Sequence, residues 1–568
     1  MLIATRIEEV LPVLEFAEGE ARSGSHVAVM LSYEAAPAFD SALVTHEPSG
    51  FPLAWAEVSK NSSESERGAR PRSSNSSESG RGACPRTSES LTCNLAWSPS
   101  VSRDEYDRAV SRIRELIAAG DTYQVNYSFP LTAPFAGDPA ALYRNLCLAQ
   151  GAPYSAYLDL GRYKVLCLSP ELFFERRGNH VITKPMKGTV QRGRWIEEDQ
   201  ALAQWLRSSV KDRAENVMIV DLLRNDLGKV SAPGSVRVSS LFDVERFETV
   251  WQMTSTVEST LRDGTSLVDL MTALFPCGSV TGAPKIRTMQ IIRELERFPR
   301  GAYTGTIGFL KPGGDCIFNV AIRTVVIDTE TNVATFGVGG GVTIDSTAER
   351  EYEECLVKSR FLRAAPVEFQ LFESMLRADG EYFLLSRHLD RLRDSAAYFG
   401  FPFCEEEIRT ALERVAGNGK VRLRLWKDGR IETAVSAIDP SESRRVALAS
   451  EAVDSADRFL FHKTTKRDFY NAQLAARPDC DDIIFWNERG EITESTIANV
   501  VVSIDGELFT PPVESGLLAG TFRNQLLDEG KIKERVITVA ELKDSREIYL
   551  INSVRKFVTA DLRGLMTD

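Results

Sequence analysis

The 568-residue chain has no run of about 18 apolar residues, so no segment reads as a membrane-spanning helix. Histidine is scarce, at five residues with no HxxxH pair, which argues against a histidine-rich metal centre. Nine cysteines are present (Cys84, Cys93, Cys147, Cys167, Cys277, Cys316, Cys355, Cys404, Cys480), but they are scattered and form no CxxC pair. Neither a zinc ribbon nor a disulfide framework follows from them. Positive charge is not in excess: 68 Lys plus Arg stand against 80 Asp plus Glu, a net charge of −12 with a pI near 5.3. That excludes general affinity for nucleic acid or anionic lipid, though not a basic cleft for a small anion. The opening MLIATRIEEVLPVLEF lacks a basic start and carries Glu8 and Glu9 in its apolar stretch, unlike a secretory leader. The expected compartment is the cytoplasm.

What remains is the composition of a globular enzyme, 43% hydrophobic and 26% charged. One stretch, 59–95, breaks the pattern with Ser, Glu, Arg and Gly and no apolar period. Within it NSSESERGARPR (61–72) recurs as NSSESGRGACPR (75–86), a duplication too short and polar to bury a face. From about 100 to 363, helical stretches (Asp104 to Ala119, Asp212 to Leu227) alternate with strands expected at Tyr163 to Phe174, Val181 to Lys187, Gly305 to Leu310, Cys316 to Asp328 and Val333 to Ile344. Consecutive strands favour antiparallel pairing. A second unit opens with a hairpin signal, Phe369 to Leu376, Asp379-Gly380, Glu381 to Leu385. Val421 to Leu425 alternates, and a strand-turn-strand run from Asp481 leads to a helix from Thr521. The junction falls near AAPV (364–367), giving units 1–365 and 366–568.

Two acidic pairs stand out in the first unit. Asp212 and Glu215 lie three apart on one helix face, and Glu351 and Glu354 repeat that spacing with Lys358 a turn further. Four carboxylates from two helices suit a hard ion such as Mg²⁺; two solvated helix faces are the alternative. The loops PCGSVTGAPK (276–285) and GVGGGVTIDS (337–346) expose backbone N–H groups, and KPMKGT (184–189) sets Lys187 before a glycine. A desolvated lysine there is a candidate nucleophile.

In order, SPELFF (169–174), KPMKGT, AENVMIVDLLRNDLG (214–228), FPCGSVTGAPK (275–285), RGAYTGTIGF (300–309), the strand Ala321-Ile322-Arg323-Thr324 and the GVGGG…EREYEECLVK tail resemble the chorismate-utilising enzymes over roughly 100–363. The resemblance implies an α+β fold with large antiparallel sheets packed as a sandwich, and Mg²⁺ held at Glu215 and Glu354 with Asp212 and Glu351 close by. It further implies Arg323, Gly341 and Lys358 on the substrate carboxylates and Thr281 and Gly282 lining the cleft. Lys187 resembles the aminodeoxychorismate synthase branch, in which a lysine follows this motif; anthranilate synthases carry alanine. A lysine amine adds at C2 of chorismate and expels the C4 hydroxyl, ammonia then adds at C4, and the nitrogen ends para to the carboxylate. Gln252 stands where related enzymes usually carry His. No Cys-His-Glu glutaminase segment is found, so ammonia is expected from solution or from a separate glutamine amidotransferase.

In the second unit, Gly520-Thr521 in LLAGTFRNQLL opens a helix and favours an anion, Arg391 is a bidentate phosphate donor candidate, and Glu494 follows a strand where it can pair a protonated ring nitrogen. With FHKTTKRDFY (461–470) these resemble the fold-type IV pyridoxal-phosphate enzymes over about 368–562, a two-part α+β fold that includes aminodeoxychorismate lyases and branched-chain and D-amino-acid aminotransferases. The resemblance implies Lys463 as the lysine that bonds the cofactor, Glu494 on the pyridine nitrogen, and Arg391, Gly520, Thr521 and Ser553 on the phosphate. Lys466 is the competing lysine; Lys463 is preferred because Arg467 then falls in register with the lyases. The expected whole is a bifunctional enzyme making 4-aminobenzoate and pyruvate from chorismate with Mg²⁺ and pyridoxal phosphate. A general aminotransferase, or a non-catalytic scaffold, is the alternative for the second unit.

Overall fold

The computed structural model describes residues 1–59, 95–363, 368–439 and 441–562. The duplicated stretch 61–86 and the junction at 364–367 lie outside the described residues. The chain divides into two compact units, Met1–Gln191 with Ala203–Pro366, and Arg192–Leu202 with Val367–Asp568. Among the described residues no helix is long and apolar enough to cross a membrane, and no cysteine is bonded to another.

The first unit is built on two antiparallel sheets. One runs in the order Leu2–Ala4, Ala54–Ser59, His26–Leu31, Thr306–Leu310, Cys316–Asn319, Leu172–Arg177, His180–Lys184, Val250–Thr260, Met186–Gln191, with Arg237–Arg246 also paired to Val250–Thr260. The other runs Gly282–Ala283, Gln124–Pro134, Val333–Val342, Thr324–Asp328, Tyr163–Ser169, Tyr154–Leu160. Met30, Trp55 and Ile307 from the first sheet pack on Leu158, Val165 and Cys167 from the second, which makes the pair a sandwich. Its outer faces bury the apolar stripes of helices: Val10–Arg22 and Leu267–Leu274 on the first sheet, and Arg103–Ala118, Pro139–Gln150 and Lys285–Leu295 on the second. Local chemistry sets these helices. Ser102 and Glu105 form a reciprocal cap at the start of Arg103–Ala118, and Asp138 accepts from Ala140 N and Ala141 N ahead of Pro139.

Three strand expectations are corrected. Tyr163 to Phe174 is two strands, Tyr163–Ser169 and Leu172–Arg177, because Pro170 has no N–H to give a ladder. Pro185 splits His180–Lys184 from Met186–Gln191 for the same reason. Cys316 to Asp328 is also two strands, and they belong to different sheets. The chain crosses between them at Ala321-Ile322-Arg323, where Arg323 has φ of +51°, so this is a turn and not a strand.

The second unit has two parts. A small antiparallel sheet, in the order Glu381–Tyr382, Leu371–Ala378, Gly419–Leu425, Ile431–Ser436, carries helices Leu385–Phe399 and Glu405–Glu413 over an apolar core. The larger part closes on itself: Ile492–Ser495, Asp482–Trp486, Ser443–Leu448, Lys556–Leu562, Ile548–Asn552 and Asn499–Ile504 pair in turn, and the last pairs back to the first. Val446, Ile484, Val500 and Leu550 are in its core. Asp379 and Gly380, with φ of +52° and +86°, make the expected hairpin turn. Arg192–Leu202 belongs to this unit through contacts with Tyr398, Ser455 and Phe461, and a buried ion pair shapes the segment itself. Arg192 donates to Asp199 at 2.6 and 2.7 Å and to Tyr398 O at 3.2 Å, while Tyr398 OH donates to Gly193 O at 2.6 Å.

Candidate functional site

In the first unit the glycine-rich strand Val333–Val342 pairs with Gln124–Pro134, with Gly341 opposite Asn126. A Cβ at Gly341 would lie 2.7 Å from Gln124 Nε2 and 2.9 Å from Lys187 Nζ. The missing side chain is therefore what lets the lysine amine reach this strand. Next to Lys187, Gly188 has φ of +88° and sits against Asp212, 2.9 Å from a built Cβ to its own Cβ. On the far edge Gly282 pairs with Val125, and Thr281 O accepts from Asn126 N at 2.8 Å. Thr281, Gly282, Gly341 and Lys187 thus converge on Gln124–Asn126. The Gln124 amide is buried with both its polar atoms unpartnered, as is Asn126 Nδ2. Buried polar atoms without a protein partner are uncommon, and their grouping here marks a polar spot in the fold.

Carboxylates ring the same lysine. Glu215 is pushed up by burial and by its acidic neighbours Asp212 and Glu351, against the pull of Lys187 and Lys211. Glu351 is raised by burial and by Glu354, and accepts from Ser346 Oγ at 2.7 Å. Glu354 is lowered, chiefly by Lys358 at 2.8 Å and further by Lys187. Lys358 also donates to Gly339 O at 2.9 Å. Ser209 Oγ donates to Asp212. No group of three His, Cys, Asp or Glu close enough to cage a metal occurs among the described residues. Mg²⁺ does not need one: it is held by one or two carboxylates, with waters and ligand oxygens completing its shell. Acids that raise one another's affinity for protons fit such a cation. Arg323 stands apart from this group in its hydrogen bonding. Its Nη1 donates to Gln150 Oε1 at 2.6 Å, and burial lowers it to about 10. Gln252 accepts from Thr189 Oγ1 at 3.0 Å.

One acid was present in a quoted motif yet given no role. Glu171 of SPELFF is fully enclosed, accepts from Ser279 Oγ at 2.7 Å, and is pushed up to about 7 by burial, with Lys187 among the groups that pull it back. A buried acid poised near neutrality beside a lysine is what proton transfer requires. The signal that would have found it is the pairing of SPE with the serine of CGSVTG, which only the fold brings together.

The second unit contains a cavity of about 530 Å³ whose wall includes Lys463, Glu494, Arg391, Gly520, Thr521 and Ser553. Burial and Arg391 lower the Lys463 amine to about 7, with Arg467 adding and Glu373 and Glu494 opposing. Its Nζ lies 5.0 Å from the Phe372 ring centroid. Lys466 is not on the cavity wall; its Nζ lies 5.6 Å from the Phe459 ring centroid. Glu494 accepts from Tyr470 OH at 2.9 Å and is raised to about 7 by burial. Arg391 donates to both oxygens of Glu373, at 2.8 and 2.6 Å, and to Ala519 O at 3.1 Å. Glu373 and its second partner His388, at 2.7 Å, were not foreseen. Gly520 caps the helix Thr521–Asp528, and a Cβ there would overlap Asn499 Oδ1 at 2.0 Å. Thr521 Oγ1 meets His388 Nε2 at 3.3 Å, and Ser553 Oγ donates to Ser374 O at 3.3 Å. An enclosed lysine, an enclosed acid and a helix N-terminus on one wall fit pyridoxal phosphate.

The first unit is thus a double-sheet α+β sandwich with a lysine set among carboxylates. Residues 4–364 match the model of the chorismate binding enzyme family, and the chain belongs to that family. Residues 370–561 match the amino-transferase class IV model. Aminodeoxychorismate synthase component 1 of Bacillus subtilis is 42% identical over 264 residues, 46% of this chain and 56% of that protein. Anthranilate synthase component 1 of Thermus thermophilus is also 42% identical over 264 residues, 46% of this chain and 57% of that protein. The solved anthranilate synthase component I of Streptococcus pneumoniae superposes with a TM-score of 0.53 at 28% identity, covering 62% of this chain and 85% of that one. The chain spans a little over half the length of the curated relatives it matches.

Proposed function

We propose that the first unit aminates chorismate to 4-amino-4-deoxychorismate, with ammonia from a separate glutamine amidotransferase, and that the second eliminates pyruvate from that product to give 4-aminobenzoate for folate synthesis in the cytoplasm. The single observation that carries it is the placement of Lys187 Nζ against Gly341 and Gln124, among Glu171, Glu215 and Glu354. Relatives of both activities share the same overall identity, so this lysine is the discriminating feature.

The amine of Lys187 attacks C2 of the ring, the double bond shifts, and the C4 hydroxyl leaves with a proton from Glu171. Ammonia adds at C4 and the lysine departs by the reverse displacement. Gln124 and the Thr281-Gly282 backbone orient the ring, and Arg323 and Lys358 supply positive charge for carboxylates. Glu215 and Glu354, with Asp212 and Glu351 beside them, would hold Mg²⁺, which neutralises the ring carboxylate in this acidic setting.

In the second unit Lys463 takes the proton from C4 of the amine substrate, and an amine lowered to about 7 is available in its neutral form for that work. Pyridoxal phosphate, when bound, supplies an electron sink. Glu494 keeps a positive ring nitrogen paired, while Arg391, Gly520, Thr521 and Ser553 would hold the phosphate. Loss of pyruvate from C3 then leaves an aromatic ring.

The test is purified protein with chorismate, Mg²⁺ and ammonium, with and without pyridoxal phosphate, followed by chromatography. The reading requires 4-aminobenzoate that depends on the cofactor. Anthranilate would overturn the role of Lys187, and aminodeoxychorismate without pyruvate would make the second unit an aminotransferase or a scaffold.

A further inference from the structure

The strand Gly419–Leu425 alternates strictly. Val421, Leu423 and Leu425 enter the apolar core of the small sheet, and Lys420, Arg422 and Arg424 face the cavity on its other side. Arg422 lies opposite Ser374 on one neighbouring strand, and Arg424 opposite Phe372. The Arg422 guanidinium is 5.1 Å from the centroid of the Phe372 ring, the ring that also lies 5.0 Å from Lys463 Nζ. The cationic face is therefore set beside the reactive amine. Across the cavity Arg467 rests on Tyr470, 4.6 Å from its ring centroid, and donates to Thr496 O.

These cations are poorly compensated. Arg424 has Glu432 at 3.7 Å, and the Asp439 carboxylate on the wall is taken by Arg444 and by Arg555 at 3.8 Å. Lys420, Arg422 and Arg467 form no close ion pair among the described residues, and of the three Arg467 alone acts on an acid of the wall, the buried Glu494. Arg422 is lowered by burial and by Arg424 and Arg467, and Lys420 by burial, Arg422 and Arg555. Arg555 Nε is buried without a partner on the same wall. Like charges in excess over the counter-charge of a cavity oppose folding, and an anionic ligand relieves that repulsion. The phosphate of a bound cofactor is accounted for by the wall formed by Gly520, Thr521 and Ser553, so the surplus charge is left for the substrate.

We propose that Lys420, Arg422 and Arg467 form the substrate-recognition wall of this cavity and select an amine that carries two carboxylates. This rests on the reading of the second unit as a pyridoxal-phosphate enzyme. A dicarboxylate brings two negative charges to these cations, while an amine with a single carboxylate brings one and leaves most of the repulsion in place.

The test titrates isophthalate and benzoate into the holoprotein by calorimetry, with pyruvate release from aminodeoxychorismate measured in parallel. Wild-type protein is expected to bind isophthalate at least about tenfold more tightly than benzoate, as one additional charge-assisted contact requires. Arg422→Gln and Lys420→Met each shrink that preference to about threefold or less with cofactor content unchanged, and raise KM for aminodeoxychorismate by about 10–100-fold more than they lower kcat. Arg422→Lys retains most of the preference. Equal binding of the two probes by wild-type protein, or an unchanged preference in both variants, overturns the proposal. A dicarboxylate preference without pyruvate release supports the wall while the lyase reading fails; pyruvate release without the preference overturns the wall alone.

Discussion

Each unit sets a lysine among charged groups, acids around the first and acids with guanidiniums around the second. Lys187 faces Glu171, Glu215 and Glu354. Lys463 is buried and feels the cations Arg391 and Arg467 against the acids Glu373 and Glu494. In the first setting, on the proposed reading, the carboxylates would exchange protons and could hold a divalent cation. In the second, burial and neighbouring guanidiniums favour the neutral amine and greet an anion directly. The side chain is the same; the neighbours decide whether its anionic partner is met through a metal or through arginine. One lysine is suited to displacing a hydroxyl, the other to removing a proton.

Removing either amine breaks the comparison most completely. Lys463→Ala is expected to cut 4-aminobenzoate formation on the order of 10⁴-fold while aminodeoxychorismate accumulates; Lys187→Ala stops at the earlier step and is rescued by supplied aminodeoxychorismate. Chromatography of the two variants, alone and mixed, reads both outcomes, and normal output from either would sink the assignment. Glu171→Gln comes next. As a proton donor raised to about 7, Glu171 loses its proton as pH rises through that value, so wild-type amination should decline above it. The variant should lose about 10²–10⁴-fold in amination and show no such limb in its pH profile.

The two clefts were legible in the sequence to different depths. Short motifs drew attention to Lys187, Gly341 and Glu494, and the structure sets Gly341 against the side chains of Gln124 and Lys187. Secondary structure followed from periodicity except where proline cut a strand, at Pro170 and Pro185, and at Arg323, where a left-handed turn joins two sheets within what reads as one apolar run. Glu171 and Ser279, or Glu373 and Arg391, become partners only through folding and have no signature in spacing. The alternation of Val421 to Leu425 was visible, yet the cations between the apolar residues gain meaning only once that face lines a cavity. The placement of Arg192–Leu202 in the second unit was invisible, because the Arg192–Asp199 ion pair only shapes the segment, while its hold on the unit includes hydrogen bonds to Tyr398, 206 residues beyond Arg192.

That ion pair offers a way to disturb one environment through its scaffold. Asp199→Ala leaves the Arg192 guanidinium buried beside Tyr398 without its carboxylate, and is expected to destabilise the second unit by about 3–5 kcal/mol. Replacing both partners with apolar residues of similar volume should recover most of the loss. Calorimetric melting of the single and double variants checks this, and an unshifted transition in Asp199→Ala would show the pair to be energetically idle.

The smallest effect sharpens the comparison at Lys463 itself. Its amine is lowered from 10.5 to about 7, so between those values the unfolded chain holds a proton that the folded chain has released. Stability of the cofactor-free protein should therefore gain from this group as pH rises from about 7 toward 10.5, and the gain should be absent below 7 where both states are protonated. Covalent capture of added pyridoxal phosphate needs the neutral amine, so its rate should climb about tenfold per pH unit below 7 and level off above it. Stopped-flow absorbance of the cofactor-free protein reads that profile directly. An inflection near 10 instead would mean that burial and Arg391 do not govern this amine, and the contrast with the carboxylate-ringed Lys187 would lose its physical basis.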